Sequence, residues 1–355
     1  VLIAQFDGTA LDETLISDAR SYDRTARRIA ADGIGSIDVF HQSPLYPAML
    51  SLTYDATASD SRPARPSGSA PWLQAALHAL AIALLAPLAF EASGSARASA
   101  FAVALGALFA PFPFYALLRL PTTLAVVTQG AALLATLRVA RRPTIAAAAW
   151  AGACCGVAAL ARAEFLLFVP VAALAAAGRG PIRSRGSRVG TVLLAAAVCV
   201  APATIHNARR GDLVPIASSA GENLFAGNQP SGDGGHTAIH PRAGDLESSR
   251  RLARSIAESD AGRALRPSEV SRYWAGRATR AVLDDPAGWA VLVVRKAVRI
   301  VDLGDRTDIY SMALARDTVV PALRAAFVPV GAILVLAAGG LTVIGRRRLS
   351  RALPL

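Results

Sequence analysis

The chain has 355 residues, of which 53% are hydrophobic and 17% charged, with a mean hydropathy of +0.41. Soluble domains carry about 25% charged residues, and here the charge is missing from long uninterrupted runs, which argues against a water-soluble globule. The net charge of +12 would suit nucleic acid, but the arginines gather at the ends of apolar runs, where they set membrane orientation; the partners expected are lipid headgroups, with no nucleic acid.

Residues 1–70 are polar and punctuated by Gly, Pro and Ser, with a linker-like tract at Ser59–Ser69. One helix is predicted there, capped by Asp18. It has Tyr22, Ala26 and Ile29 on one face and Arg24, Arg27 and Arg28 on the other, the pattern of a helix lying along a membrane surface. The sequence opens at Val1 without a signal peptide or an opening span. It ends just after a basic cluster, and the expectation is a piece of a longer reading frame.

Spans are predicted near 72–90, 98–118, 120–138, 143–161, 164–178, 189–206 and 325–345. Alanine and glycine dominate them, which permits close helix approach, and Pro111, Pro113, Pro170 and Pro202 are expected to kink them. The run at 164–178 is short for a crossing. Arginines cluster at 138–142, at 179–188 and at 346–351. Counting spans puts all three clusters on one side, which the positive-inside rule makes the cytoplasm. Residues 1–70 and 207–317 then lie outside. Residues 207–285 read as a hydrophilic, Gly-rich loop, and 286–303 as an interfacial amphipathic helix, because Arg295, Lys296 and Arg299 interrupt its apolar residues. The resulting division is a first external loop (1–70), a transmembrane bundle (71–206), an external loop with a juxtamembrane helix (207–317), and a final span with a basic tail (318–355). The fold class is an all-α polytopic membrane protein.

Candidate chemistry falls in three places. Asp18, just outside the bilayer, could act as a general base for an acceptor hydroxyl or amine; as a helix cap it would contribute only about 1 kcal/mol. The Gly221–Pro230 segment offers tight turns and the donors and acceptors of Asn223 and Asn228, suited to sugar hydroxyls or to an ordinary surface turn. Arg295, Lys296 and Arg299, with Arg162 and Arg119 at outer span ends, could hold a lipid phosphate or simply snorkel to headgroups; Arg162 beside Glu164 could equally be a structural pair. Cys154, Cys155 and Cys199 lie in apolar runs and read as small hydrophobes. The histidines form no helical ligand pair, His236 and His240 falling in a Gly- and Pro-rich loop. No cofactor is called for with certainty, while a divalent metal is left open.

The order of three segments carries a family resemblance. DARSYDRTARRIAADG followed by HQSPLYPAML, then PATIHNARRGDLVPIASSAGENLFAGNQPSGDGG, then SEVSRYWAGRATRAVLDDPAGWAVLVVRKAVRI resemble in turn the first external loop, a mid-chain segment and a late juxtamembrane segment of the GT-C superfamily. The likeness is to bacterial relatives of protein O-mannosyltransferases and aminoarabinose transferases. The resemblance implies a multispan fold in the inner (plasma) membrane with an external active site. It also implies a polyprenyl-phosphate sugar donor, an extracytoplasmic acceptor, and inverting transfer. It places the catalytic base at Asp18 with Tyr22 beside it. Substrate contacts fall at Gln42, Tyr46, Asn223, Asn228, Arg295 and Lys296, with Pro44, Pro47 and Gly227 completing the matched elements. Two departures stand out: Asp18 is followed by Ala19 where many relatives show a second acid, and the late segment reads Val301-Asp302-Leu303-Gly304-Asp305 where they often show Glu. The competing classes are a lipid or sugar transporter, which would need ionisable groups at mid-bilayer, and a non-catalytic membrane protein whose outer loop binds cell-wall glycan.

Overall fold

In the computed structural model the described residues are 1–54, 69–178, 181–229, 231–235, 237–239, 245–301 and 309–352, with side chains omitted for 300–301 and 343–352. Most of the Ser59–Ser69 tract, Arg179, His236, His240, Asp302–Asp305 and the side chains of the C-terminal arginine cluster lie outside them. Among the described residues the chain is all-helical, without a strand and with one isolated bridge.

The N-terminal segment forms α1 (Leu2–Phe6), α2 (Ala10–Glu13), α3 (Ser17–Asp32) and α4 (Leu45–Ser51), where the sequence predicted one helix. Then come α5 (Ala70–Ser93), α6 (Ala96–Leu108), α7 (Pro111–Leu117), α8 (Thr122–Arg141), α9 (Ile145–Ala161), α10 (Val169–Ala177) and α11 (Ile182–Arg209). The expected loop 207–285 instead holds α12 (Ala220–Asn228), α13 (Leu246–Ala261) and α14 (Pro267–Asp284). These lead into α15 (Pro286–Val301), the short α16 (Met312–Leu314) and α17 (Val330–Ala352).

Three helices, α5, α8 and α11, are long and apolar enough to cross a membrane. The other predicted spans correspond to shorter apolar helices: α6, α9, the 163–177 segment and the Val330–Thr342 part of α17. The single span expected over 98–118 is broken, because Pro111 and Pro113 start a new helix. The backbone freed at that break is paired: Val328 N donates to Leu108 O at 2.8 Å and Ala110 N to Val328 O at 3.2 Å. A break in an apolar bundle is tolerated when neighbouring chain satisfies it. Pro202 stays inside α11 and Pro170 opens α10, after a 3-10 turn over Ala163–Phe168.

The bundle has two distinct ends. Gln74, early in α5, donates to the carbonyls of Leu118 and Leu120 just ahead of α8, while Glu91 near the end of α5 pairs with Arg138 and Arg141 at the end of α8. The two helices therefore run parallel. Helix α9 starts beyond Arg142 and ends at Arg162, next to which Ala163 N donates to Ser43 Oγ (2.9 Å). Helix α10 returns, and Arg188 caps its last carbonyls from the start of α11. Helix α11 ends where Asn207 Oδ1 accepts from Phe40 N (2.9 Å). One end thus carries Arg138, Arg141, Arg142, Arg183, Arg185 and Arg188. The other carries residues 1–54 and the 206–229 segment, a polar crown. The tightest packing is between α9 and α11, where Gly152 and Gly156 let the backbone of Val192 and Ala196 approach.

Candidate functional site

The crown is built on α3. Its Tyr22 and Ala26 face, expected to lie along a membrane surface, is instead buried inside the protein against Tyr46, Leu50, Tyr54 and Leu124. Asp18 is not the cap: the helix begins at Ser17, preceded by Ile16, without a side-chain cap bond, and Asp18 sits in the first turn. Ser17 holds a left-handed φ of 47°, the one non-glycine residue to do so among the described residues. Such a conformation costs about 1–3 kcal/mol and collects at functional sites.

One turn beyond Asp18, Tyr22 meets Tyr46 edge to face at 5.3 Å. Burial raises the Tyr22 phenol well above its usual range and the Asp18 charge adds to this, opposed by Arg162. Tyr22 therefore stays a neutral donor at every physiological pH. The Tyr46 hydroxyl accepts from Gln74 Nε2 (2.9 Å), and Ser21 Oγ donates to Gln42 Oε1 (2.8 Å). Four predicted residues, Asp18, Tyr22, Gln42 and Tyr46, thus share one corner. Arg162 pairs with Glu164 (2.5 Å), as a structural pair would.

Arg119 is not a snorkelling cation. It stands partly buried between two carboxylates, 2.7 Å from Asp12 and 3.2 Å from Asp23. Asp23 also accepts from Tyr54 Oη and stands 2.8 Å from Arg27 Nε. The Arg27 contact is ionic, since Nε is out of line for a hydrogen bond. Arg27, predicted on the solvent face, is thereby drawn inward.

The other predicted residues form a second group. Asn228 Oδ1 accepts from both Trp289 Nε1 and Lys296 Nζ, each at 3.1 Å, so the Gly-Asn element and the late basic helix do meet. Arg299 pairs with Asp233 at 2.6 Å. Arg295 and Asn223 are exposed, and their side chains make no hydrogen bond or ion pair among the described residues. As predicted, α15 is amphipathic, with Val291, Val294 and Val298 exposed beside its cations.

Helix α12 joins the two groups. Its first turn carries Glu222, which the sequence reading passed over, 3.7 Å from the His41 imidazole. Its last residue is Asn228, about 9 Å further along the helix axis. Ser218 N and Ser219 N donate to the carbonyls of Phe40 and His41, fixing this start against the 37–43 loop. Burial lifts the Glu222 carboxyl to about 7, slightly opposed by Arg250. Burial, aided by Arg250, lowers His41 to about 3. Between about pH 3 and pH 7 both are neutral. The missed signal was long-range: both residues stand in the quoted segments, but nothing local couples them.

Between α3 and the start of α13 lies a cavity of about 200 Å³ whose wall includes Tyr22, His41, Gln42 and Arg250. Among the described residues no group of three or more His, Cys, Asp or Glu side chains is placed to hold a metal ion. No family model matches this chain, and neither a curated protein nor a solved structure does.

Proposed function

We propose that the chain is a GT-C-type polytopic membrane glycosyltransferase, moving a sugar from a polyprenyl-phosphate carrier to an acceptor outside the cytoplasm, with inversion. The observation that supports this most is the division of the molecule between its ends. The first-loop and Gly-Asn segments gather at one end, with the late basic helix tied to the latter through Asn228. Arg138, Arg141 and Arg188 stand at the other end. By the positive-inside rule the arginine end faces the cytoplasm and the crown faces outward, where a carrier lipid would present its sugar.

In this reading Asp18 removes the acceptor proton as the acceptor attacks the anomeric carbon, and the carrier phosphate leaves. The Tyr22 hydroxyl, kept neutral, orients the reacting groups by hydrogen bonding. Lys296, steadied by Asn228, and Arg295 offset the negative charge of the leaving phosphate at headgroup depth. General-base catalysis requires Asp18 to come within hydrogen-bond reach of the acceptor proton it removes.

Replacing Asp18 with Asn preserves shape and removes the base. Transfer from a radiolabelled polyprenyl-phosphate sugar is expected to fall by about 10²–10⁴-fold, the usual contribution of one positioned acid–base group, with the thermal midpoint unchanged. Full turnover in a folded Asp18→Asn protein would remove Asp18 from the reaction.

A further inference from the structure

The α3–α13 cavity is walled from three directions, by α3, by the 37–43 loop and by the start of α13. Arg20, Arg24, Arg28 and Arg250 line it against the carboxylates of Asp38, Asp245 and Glu247, while burial holds His41 neutral. One positive charge is therefore in excess. Two of the cations are matched, since Arg24 pairs with Glu247 and Arg20 stands 3.8 Å from Asp245. Arg28 has no carboxylate partner among the described residues, and its Nη2 donates to the Ser36 carbonyl at 2.5 Å. Arg250 makes neither a hydrogen bond nor an ion pair with any described residue. Its charge nevertheless reaches His41 and Glu222.

The wall has further donors in reserve. The Thr25 hydroxyl has no hydrogen-bond partner among the described residues. The Gln42 amide uses only its oxygen, toward Ser21, which leaves its NH2 group open. Thr25, Arg28, Gln42 and Arg250 thus bring unused donors to one space from all three directions. A neutral polyol carries hydroxyl protons of its own to such a wall, whereas an oxyanion carries only acceptors and complements it better. A guanidinium also presents two parallel N–H groups, the geometry that a phosphate or a carboxylate takes up. At about 200 Å³ the space is below the 300–1,000 Å³ of sites for drug-sized ligands and suits one such group.

We propose that the α3–α13 cavity is an anion site, holding one phosphate or carboxylate group on Arg250 and Arg28, with Thr25 and Gln42 donating to its remaining oxygens. Such a site is separate from the α15 cations Arg295 and Lys296 of the transferase reading, and it stands whether or not the chain transfers sugar. Two sources carry this chemistry, a free anion and the headgroup of an acidic membrane lipid.

The test is calorimetric titration of the full chain with inorganic phosphate, in a neutral detergent at fixed ionic strength. Saturable binding is the expected result. Arg250→Met keeps the apolar stem and has no partner to lose, so the fold should be intact. Its affinity should fall about tenfold or more, as for a lost charge-assisted hydrogen bond. Arg272→Met removes the same charge from α14, outside the cavity wall, and should bind as the wild type does. No saturable binding at tens of millimolar, wild-type affinity in Arg250→Met, or an equal loss in Arg250→Met and Arg272→Met would overturn the proposal. So would binding that is lost in Lys296→Met and kept in Arg250→Met, because the anion would then sit on α15. Short-chain phosphatidylglycerol added to the same micelles assigns the source. Displacement of phosphate, with none by short-chain phosphatidylcholine, marks a lipid headgroup, and no displacement by either marks a free anion; both support the site. Transfer from a carrier-linked sugar is read separately, so absent phosphate binding in an active protein removes the anion site alone.

Discussion

The apolar bundle and the polar crown are held together by different physics. In the bundle the buried cluster is almost entirely alanine, with Val139, Val169, Val192 and Cys155. Such residues carry no directional bonds, and their contribution is close backbone approach and dispersion. In the crown, cohesion comes from groups that each need a particular partner: Arg119 with two aspartates, Asn207 with three backbone groups, Asn228 with Trp289 and Lys296. A bundle of the first kind fixes where helix ends fall, while a crown of the second kind fixes which side chains meet. Chemistry belongs to the second, and the two regions should fail differently when perturbed.

The largest loss of stability is expected at Arg119. Replacing it with Met keeps bulk but leaves Asp12 and Asp23 without their shared cation, beside a tyrosine hydroxyl that donates to Asp23. Breaking a fully buried ion pair by removing one partner costs about 3–5 kcal/mol, and removing the partly buried Arg119, whose partner Asp23 keeps Arg27, should cost about half of that. Arg119→Met should therefore lose several degrees of thermal midpoint in detergent. The double variant Arg119→Met with Asp12→Asn should lose less than the sum of the two single-variant losses, because the sites share one network. A midpoint unchanged in Arg119→Met would mean the crown is not held by charge.

Glu222 gives a second test, through pH. Its carboxyl titrates near 4.5 when unfolded and about 7 when folded, so between those values the folded chain binds more protons. Its contribution is complete below about 4.5 and is lost as pH rises through about 7. His41 has the opposite slope: its folded value of about 3 lies below 6.5, so its contribution is present above 6.5 and is lost as pH falls. The two slopes cancel between about 4.5 and 6.5 and leave Glu222 alone above. Glu222→Gln removes that slope, so from pH 5 to pH 8 it should gain on the wild type by up to about 3 kcal/mol. Thermal midpoints read across pH would show it, and parallel curves for the two proteins would refute the buried acid.

How much of this could be seen beforehand follows the same division. Helices α5, α8 and α11 were legible because their runs are long and free of charge over most of their length. The break at Phe109 was not, because the apolar run continues through it, and proline alone does not distinguish a kink from a new helix. Residues 207–285 looked like a loop because they are charged and Gly-rich. Yet Val270, Trp274 and Ala278 recur at helical spacing and are buried, and Asp245 with Ser248 forms a capping box. In the site, Asp18 and Tyr22 share a face by local periodicity alone. Asn228 and Lys296 are 68 positions apart, and Arg119 lies 96 and 107 positions from its aspartates. Pairings of that range depend on how the bundle folds the chain back, which a local pattern does not contain.

The smallest effect is expected in the bundle, where two glycines allow the sign itself to be predicted. Alanine is favoured over glycine inside a helix by about 0.5–1 kcal/mol. At Gly186, in the polar start of α11, an added Cβ meets nothing within 4 Å, so Gly186→Ala should gain that much. At Gly156 the added Cβ would press on the Ala196 backbone and the Cys199 side chain of α11. The Ala196 Cα would lie only 3.1 Å away, and a helix backbone cannot rotate aside. Overpacking of this kind costs about 1–3 kcal/mol, which exceeds the propensity gain. Gly156→Ala should thus lower the midpoint while Gly186→Ala raises it, and a gain in both would mean that α9 and α11 are not in backbone contact.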